Sequence, residues 1–463
     1  MGVVIWWIRR DLRLHDNEAL QAALETGGLI IPLFILDPFL LKGEAFARRA
    51  FLFGGLKELD SQLRKRGSQL IVRNGSPEMV LERLVKETGA ECIYTLSDTG
   101  PYANRRDERV ARALPLKLVG GITVHPPQAI RKPDGQPYTV FTPFSKAWKA
   151  LPIPPLRMNL PERFPPFPTL PTEPLPEVKD TESAFIPGEA RACQRLEDFL
   201  RSEVLTYHEA RNRLDLDGTS RLSPYLRFGM LSPRLAATRV LEMSRQVTSP
   251  AAQRGCETWL NELIWRDFYH SILFHFPLVA DTAFQPKMRA MVWRQSEAEL
   301  AAWQFGQTGY PVVDACMRQL IATGWMHNRG RMIVASFLSK DLLIHWREGE
   351  HWFMRHLVDG DLASNLGGWQ WTAGVGTDAS PFFRIFNPVL QGKKFDPEGS
   401  FIRRWLPELG AVPSDFIHSP WLMPQHVQQK YGVQIGVNYP APMVDHAQAR
   451  ERALRWFRSQ AEE

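Results

Sequence analysis

The stretch Val3–Leu36, VVIWWIRRDLRLHDNEALQAALETGGLIIPLFIL, decides the fold class of the first part of the chain. Apolar runs at Val3–Ile8 and Leu29–Leu36 have the length of buried strands, and Asn17–Leu24 between them has helical spacing. This alternation predicts an open, doubly wound, mainly parallel α/β sheet over residues 1–130. It continues through helix candidates at Arg48–Lys65, Pro77–Thr88 and Asn104–Ala113 and strand candidates at Gln69–Arg73 and Cys92–Leu96.

Two regions of different character follow. Ten prolines fall between Pro152 and Pro176, and proline removes a backbone donor and fixes φ, so we expect an interdomain linker over residues 131–190. Helical periodicity then dominates, which predicts an all-α domain over residues 191–463. Its clearest segments are Arg191–Leu205, Pro233–Ser244, Gly255–Phe274, Tyr310–Thr323, Arg329–Leu343 and Gly349–Leu357.

Composition restricts the class of protein only broadly. A net charge of +6 allows an anionic partner such as nucleic acid but does not require one. The cysteines Cys92, Cys193, Cys256 and Cys316 form no CxxC pair, so we expect no metal site and no disulfide framework. The start lacks a signal peptide and no window reaches eighteen apolar residues, so we expect a cytoplasmic protein that does not cross a membrane.

Tryptophans are concentrated in the helical part. Nine of the fifteen fall between Trp259 and Trp371, and Trp369 and Trp371 lie in the polar stretch DGDLASNLGGWQWTAGVGTDASPFFRIFNP, residues 359–388. Indole is readily oxidised and stacks on flat rings, so the cluster indicates a bound chromophore, a flat substrate or both. Trp293, Trp346 and Trp369 could equally be ordinary core residues, unless a nearby redox centre makes them an electron conduit.

Three segments could contact a ligand, and each has a structural alternative. The hydroxyls of Thr219–Tyr225 could bind an anion at a helix start or form an ordinary N-cap. Trp259–Tyr269 is expected to be one helix, with Glu262, Trp265, Arg266 and Tyr269 on the same face. This face could stack on a base and hydrogen-bond its edge, or it could be a buried aromatic seam with a Glu–Arg ion pair. Gly324–Met332 could contact phosphate or bases, although its histidine is expected to be structural. The chain has no GxGxxG motif behind a strand, which argues against a Rossmann-type dinucleotide site.

Taken together, long motifs along the chain resemble the photolyase/cryptochrome family, and most closely its class I cyclobutane pyrimidine dimer DNA photolyases. The resemblance implies an α/β domain joined by a linker to a helical domain that holds FAD. The motifs are WIRRDLRLHDN, TSRLSPYLRFG, WLNELIWRDFYH, QTGYPVVDACMRQL, TGWMHNRGRM, DGDLASNLGGWQW and FRIFNPVLQGKKFDPEGSFIRRWLPEL.

The resemblance also implies which residues surround FAD. Asn365 would face the flavin N5, and Arg331 would pair with Asp359 beside the ring and hold negative charge on it. The expected FAD contacts are Tyr207, Thr219, Ser220, Arg221, Leu222, Ser223, Trp259, Arg331, Asp359, Gly360, Asp361 and Asn365.

A lesion pocket and a DNA-binding surface are implied in the same way. Glu262 would contact a thymine carbonyl, Trp265 and Trp371 would pack on the dimer, and the lesion would be flipped out of the duplex, as the photolyases do. Asn328, where the (6-4) repair branch has a histidine, favours cyclobutane dimers. The expected substrate and DNA contacts are Glu262, Trp265, Arg266, Tyr269, Asn328, Arg329, Met332, Trp371, Gln391 and Lys393.

The resemblance further assigns Trp369, Trp346 and Trp293 to an electron relay that feeds the flavin. Asn104-Arg105 replaces the Asn-Glu pair of folate-binding members, so a second antenna chromophore of the 8-hydroxy-deazaflavin or FMN type is expected rather than methenyltetrahydrofolate. An empty antenna pocket is the alternative. The candidate antenna residues are Arg10, Asp37, Arg49 and Asp98.

The resemblance therefore predicts a light-driven lyase in which excited, reduced FAD passes an electron to a flipped pyrimidine dimer in damaged DNA. We expect a monomer. One alternative is a cryptochrome-type blue-light receptor without repair activity. Another is a non-photochemical flavoprotein that binds nucleic acid.

Overall fold

The first part of the chain forms one parallel sheet. In the computed structural model the described residues are 2–43, 45–165, 169–177, 185–381 and 383–462. Five strands lie in the order β3-β2-β1-β4-β5, and every neighbouring pair is parallel. The predicted α/β sheet is therefore confirmed. The strands are β1 (Val3–Ile8), β2 (Leu29–Leu36), β3 (Ile71–Asn74), β4 (Cys92–Leu96) and β5 (Leu116–Val119).

Local signals fix the helices that connect these strands. The Asn17 side chain caps α1 by accepting from the backbone N–H of Leu20, and α3 ends at Gly89 in the left-handed conformation. Apolar side chains of strands and helices form one core, which includes Ile5, Leu33 and Leu81. The helices are α1 (Glu18–Leu24), α2 (Phe46–Lys65), α3 (Pro77–Thr88) and α4 (Pro101–Ala113).

The expected linker over residues 131–190 is more structured near its start than the sequence predicts. A helix, α5 (Phe141–Ala150), lies within the expected linker, because Phe144 and Trp148 on one face are buried. The described residues from 152 to 177 contain no helix or strand, while residues 166–168 and 178–184 lie outside the described ranges. Phe164 is buried and Leu170 packs against the sheet core, so these parts of the linker are packed against unit 1.

The rest of the chain is helical. The longest helix, α10, covers the WLNELIWRDFYH motif as a single helix, as predicted. The segment predicted as one helix over residues 329–343 ends earlier, because the last turns of α13 pass into a π-helix at Phe337–Asp341. The helices are α6 (Glu189–Arg201), α7 (Tyr207–Ala210), α8 (Ser223–Arg227), α9 (Pro233–Gln246), α10 (Pro250–His275), α11 (Glu297–Gln304), α12 (Pro311–Thr323), α13 (Asn328–Ser336), α14 (Trp346–His356), α15 (Leu362–Ala373), α16 (Pro388–Phe395), α17 (Ser400–Trp405), α18 (Gln425–Tyr431) and α19 (His446–Glu462).

By packing, the chain divides into two compact units. Unit 1 comprises residues 1–208 and 220–277, and unit 2 comprises residues 209–219 and 278–463. Helices α6 to α10 therefore belong largely to the unit that contains the sheet. Within the described ranges, every helix is too short or too polar to serve as a membrane span.

Candidate functional site

An ion pair in unit 2 lies where the sequence places the flavin ring. Arg331 on α13 donates through Nη2 to Asp359 Oδ2 at 2.8 Å and through Nε to the Met326 carbonyl at 2.9 Å. The Asp359 side chain is buried, whereas Arg331 keeps 26% of its side chain exposed. Two residues further, Asp361 accepts from the Ser364 backbone N–H at 3.0 Å and caps α15. The predicted Arg331–Asp359 pair is thus present.

The amide of Asn365 has one defined orientation. Its Nδ2 donates to the Glu350 carbonyl at 3.1 Å and to Glu350 Oε1 at 2.9 Å. Both N–H bonds of the amide are therefore used, and its oxygen is the group left to accept a hydrogen bond from a ligand. Burial raises the pKa of Glu350, an effect that His351 and the bond from Asn365 only partly oppose. Glu350 was not predicted, because nothing in the sequence links it to a residue fifteen positions away.

The hydroxyl-rich segment in unit 1 contains an unusual backbone conformation. Arg221 has a φ of 50°, in the left-handed region, and Leu222 after it is right-handed. Consecutive residues of opposite hand aim their N–H groups at one point and form a nest for an anion. Arg195 holds this turn by donating to the Ser220 carbonyl at 2.9 Å. The geometry favours the anion-site interpretation over an ordinary N-cap, since the start of α8 has no side-chain cap.

Aromatic side chains of unit 1 include two of the expected FAD contacts, Tyr207 and Trp259. Phe199 contacts Tyr207 edge-on with ring centroids 5.7 Å apart and Trp259 with centroids 5.3 Å apart. Tyr207 and Trp259 are both buried, which fixes the positions of their rings. On α10, the buried Oδ1 of Asn261 has no hydrogen-bond partner among the described residues. This acceptor suits a ligand with hydrogen-bond donors, and the backbone N–H groups of the nest at Arg221 suit its phosphates, so the residues present fit FAD.

One face of α10 carries the aromatic part of the expected lesion pocket. Trp265 stacks on Phe141 with centroids 3.6 Å apart and contacts Tyr269 at 5.5 Å. Arg266 donates to the Ile122 carbonyl at 2.6 Å, a contact that holds the helix in the fold. Trp265 is therefore rigidly placed. The assignment of Glu262, Arg266 and Tyr269 to substrate or DNA stays a prediction.

A concentration of positive charge in unit 2 surrounds Arg329. Its guanidinium donates to Asn212 Oδ1 at 2.6 Å and lies 4.6 Å from the centre of the Phe395 ring. Burial lowers the pKa of Arg329 to about 10, and the charges of Arg211 and Arg384 contribute to the same shift. Arginines whose positive charges act on one another in this way suit a phosphate backbone. Arg211 and Arg384 were not predicted as DNA contacts.

The remaining residues of the expected DNA surface also lie in unit 2. Asn328 at the start of α13 is exposed, and Met332 and Trp371 are half-buried. On α16, the buried Oε1 of Gln391 has no partner among the described residues, and Lys393 lies two residues further along the helix. Their contacts with DNA stay predictions.

The three predicted relay tryptophans are all in unit 2. Trp369 and Trp346 are buried, and Trp293 is half-buried. The Trp369 ring packs on the backbone of Gly349, where an added Cβ would lie 2.0 Å from its Cη2. His345 lies between the other two rings, with centroid distances of 5.3 Å to Trp293 and 5.6 Å to Trp346. The sequence did not single out His345.

Three of the four antenna candidates, Arg10, Asp37 and Asp98, follow strands of unit 1, and Arg49 lies in α2. Arg10 follows β1 and Asp98 follows β4, and their Nη1 and Oδ1 atoms are 3.4 Å apart. Burial alone would raise the pKa of Asp98, but the charges of Arg10 and Arg9 outweigh it and lower that pKa to about 2. β1 and β4 flank the point where the strand order reverses, which is where such sheets bind ligands.

The other two antenna candidates have local partners. Asp37, after β2, accepts from the Tyr102 hydroxyl, and Tyr102 stacks on Phe39 with centroids 4.4 Å apart. Arg49 donates to the carbonyls of Leu41 and Gly43. Phe39 is 56% exposed, so this stack offers an open aromatic face. Across the described ranges, no group of three or more His, Cys, Asp or Glu side chains is placed to bind a metal ion.

Comparison with known proteins gives one consistent answer. A family model described as DNA photolyase matches residues 4–168, and one described as the FAD binding domain of DNA photolyase matches residues 259–459. The deoxyribodipyrimidine photo-lyase of Agrobacterium fabrum is 41% identical over 97% of this chain and 96% of its own. That of Escherichia coli is 42% identical over 97% of both chains.

Solved structures agree. A bacterial class III photolyase from Agrobacterium tumefaciens is 38% identical with a TM-score of 0.94, covering 100% of this chain and 98% of its own. The cryptochrome of Synechocystis is 33% identical with a TM-score of 0.89, covering 98% of each chain. An archaeal photolyase from Sulfolobus tokodaii, solved with two FAD molecules, is 32% identical with a TM-score of 0.84, covering 99% of this chain and 100% of its own.

These matches extend over nearly the full length of the chain, and its second half is similar to a domain that binds FAD. The predicted enzyme class agrees with the name that the curated relatives carry. The class I assignment stays a prediction, since one of the solved neighbours is a class III enzyme. With its motifs, its sheet and its relatives in agreement, the chain belongs to the photolyase/cryptochrome family.

Proposed function

We propose that this chain repairs cyclobutane pyrimidine dimers in DNA, driven by light and using bound FAD. The observation that carries the proposal is the orientation of Asn365. Because its Nδ2 donates twice to Glu350, the amide offers an oxygen to its ligand, which suits a flavin with a proton on N5. Reduced FAD supplies the electron for opening the dimer when it is bound, and the protein supplies positioning and electrostatics.

Each group of residues has a separate task in this proposal. Arg331, held by Asp359, keeps a positive charge available to a reduced ring. The nest at Arg221 binds the FAD phosphates. Trp265, fixed by its stack on Phe141, provides a flat apolar surface for fused pyrimidines.

DNA binding in this proposal depends on charge. Arg329 and the arginines beside it contact phosphates, so affinity falls as salt rises. One chain carries every residue named above, and we propose that it acts as a monomer. We also propose the predicted division into an antenna domain, a linker and a helical FAD- and DNA-binding domain.

We propose a second flavin or a deazaflavin as the antenna, bound near Arg10 and Asp98. The stacked rings of Phe39 and Tyr102 support this, because they offer an aromatic face at the carboxyl end of the sheet. The archaeal neighbour with two FAD molecules supports it as well.

A blue-light receptor of the cryptochrome type is the second candidate. The likeness to the Synechocystis cryptochrome favours it. Repair activity separates the two candidates.

The test uses an oligonucleotide with a single thymine dimer. Protein loaded with FAD and chemically reduced is mixed with an excess of it and illuminated, and restored thymines are counted by chromatography. We expect repair in the light beyond one dimer per protein and none in the dark. Binding without repair would contradict the proposal and favour the receptor.

A matched pair of variants on α10 sharpens this test. Glu262→Ala should lower the number of dimers repaired per absorbed photon while FAD content stays unchanged. Glu257→Ala is the control, since Glu257 is an exposed residue of the same helix that pairs with Lys149 at 2.9 Å. If the two variants repaired dimers equally well, the proposed role of Glu262 in the lesion pocket would be refuted.

A further inference from the structure

The aromatic chain in unit 2 does not end at Trp293. The Trp456 ring lies beside it, with centroids 4.9 Å apart and planes inclined by 58°. Trp293 also contacts His345, which stacks on Trp346 at 5.6 Å with planes inclined by 29°. Four rings therefore form an unbroken series of contacts, from buried Trp346 to half-buried Trp456.

Trp456 is fixed by several contacts. Its Nε1 donates at 3.2 Å to the carbonyl of Val292, the residue directly before Trp293 in the chain. Its helix, α19, is held by His446 Nδ1, which lies 2.5 Å from Asp341 Oδ1, and by Arg452, which donates to the Asp341 carbonyl at 2.6 Å. The hydrogen bond to Val292 and the anchored helix thus keep the Trp456 ring beside Trp293.

The ring that joins the two inner indoles carries no charge near neutral pH. Burial lowers the pKa of His345 to about 4, and the charges of Arg347 and His351 act in the same direction. A neutral imidazole adds no positive charge between Trp346 and Trp293. Oxidation of Trp293 is therefore not opposed by a charge on His345, whereas the Arg347 guanidinium, 5.3 Å from the centre of the Trp346 ring, disfavours positive charge on that inner indole.

We propose that Trp456 is the outermost electron donor of the relay, beyond Trp293. This inference rests on the proposed function and on the relay implied by the family resemblance, in which Trp369, Trp346 and Trp293 pass electrons to oxidised FAD in the light. Trp456 gives one electron to oxidised Trp293, and no bond forms or breaks in that transfer. A small thiol in the solvent then returns one electron to Trp456, is itself oxidised by one electron and releases its proton to water.

A terminal position at the surface has a physical advantage. An oxidised indole is better solvated where water reaches it, so the positive charge is stabilised at the outer end of the series. Each added ring also increases the distance over which the charge must return. Trp456 should therefore prolong charge separation.

The test locates the oxidised residue directly. Protein loaded with oxidised FAD is illuminated in aerated buffer without a reductant, and oxygen addition to each tryptophan is mapped by peptide mass spectrometry. We expect light-dependent oxygen addition at Trp456 in the unmodified protein and its transfer to Trp293 in Trp456→Phe. Transient absorption should show a shorter lifetime of the tryptophan radical in that variant.

The control is Trp421→Phe, which removes another half-buried tryptophan of unit 2, one that contacts Tyr310 edge-on at 5.3 Å. It should leave both the oxidation pattern and the radical lifetime unchanged. Oxidation confined to Trp293 in the unmodified protein, with an unchanged lifetime in Trp456→Phe, would overturn the inference but leave dimer repair standing. If no variant showed light-dependent tryptophan oxidation and dimers were not repaired, the inference and the proposed function would both fail.

Discussion

Gly349 provides the most direct test of how Trp369 is placed. A Cβ at this position in α14 would lie 2.0 Å from Cη2 of Trp369 and 2.5 Å from its Cζ2. Carbon atoms in contact prefer about 3.5–4.0 Å, so Gly349→Ala must move the indole or the helix by about 1.5 Å. Overpacking of this kind costs about 1–3 kcal/mol, whereas alanine gains about 1 kcal/mol of helix propensity over glycine. The net loss of stability should be about 0–2 kcal/mol.

Gly368 is the matched control. It lies in α15 beside Trp369 in the chain, but a Cβ there would meet nothing within 4 Å. Gly368→Ala should therefore raise stability by up to about 1 kcal/mol, through the same helix propensity without the clash. The free energy of unfolding in urea, measured on FAD-loaded protein, should separate the two variants by about 1–3 kcal/mol.

Function should separate them further. Displacement of the Trp369 ring should slow the light-driven reduction of oxidised FAD in Gly349→Ala, while Gly368→Ala reduces FAD at the normal rate. Repair by chemically reduced protein should survive in both, because it does not need the relay. If Gly349→Ala proved as stable as Gly368→Ala and reduced FAD equally fast, the packing argument would be refuted.

Three other perturbations test the remaining contacts. Asn365→Asp places a second carboxyl against Glu350, where one of the two must keep a proton, and should make oxidised FAD easier to trap; an unchanged flavin potential would count against Asn365 facing N5. Arg329→Gln should reduce the slope of log affinity against log salt by about one in DNA titrations, since one phosphate contact is lost, and an equal slope would exclude that contact. Burial raises the pKa of Asp267 from 3.8 to about 6, so its protonated form favours folding and stability is lost as pH rises through that range. Asp267→Asn should remove about 3 kcal/mol of this pH dependence, measured as the change in unfolding free energy from below pH 3.8 to above pH 6, and a profile parallel to that of the unmodified protein would show that Asp267 does not titrate there.

The sequence predicts the sheet well because its signals are local. Each long strand is a continuous apolar run, and the helices between them have caps and periodicity that can be read within a few residues. β5 escapes this reasoning, since Leu116–Val119 is short and half of it is exposed. α5 escapes it because the helix lies beside a proline-rich stretch that dominates the composition of the region.

The site is predictable only where a motif carries it. Arg331, Asp359 and Asn365 lie in long motifs, and the pair formed by the first two is present as expected. Glu350 and His345 have no such motif, and their importance comes from contacts made across separate helices. Tertiary contacts of this kind have no spacing that a single sequence reveals.

Arg221 shows how function can limit the stability of this fold. A left-handed conformation costs a residue with a side chain about 1–2 kcal/mol, and glycine would adopt it freely. Selection for thermal robustness alone would therefore favour glycine at this turn. Under the role proposed for this turn, the strain at Arg221 exchanges some scaffold stability for phosphate binding, so attempts to thermostabilise this protein should leave the turn alone.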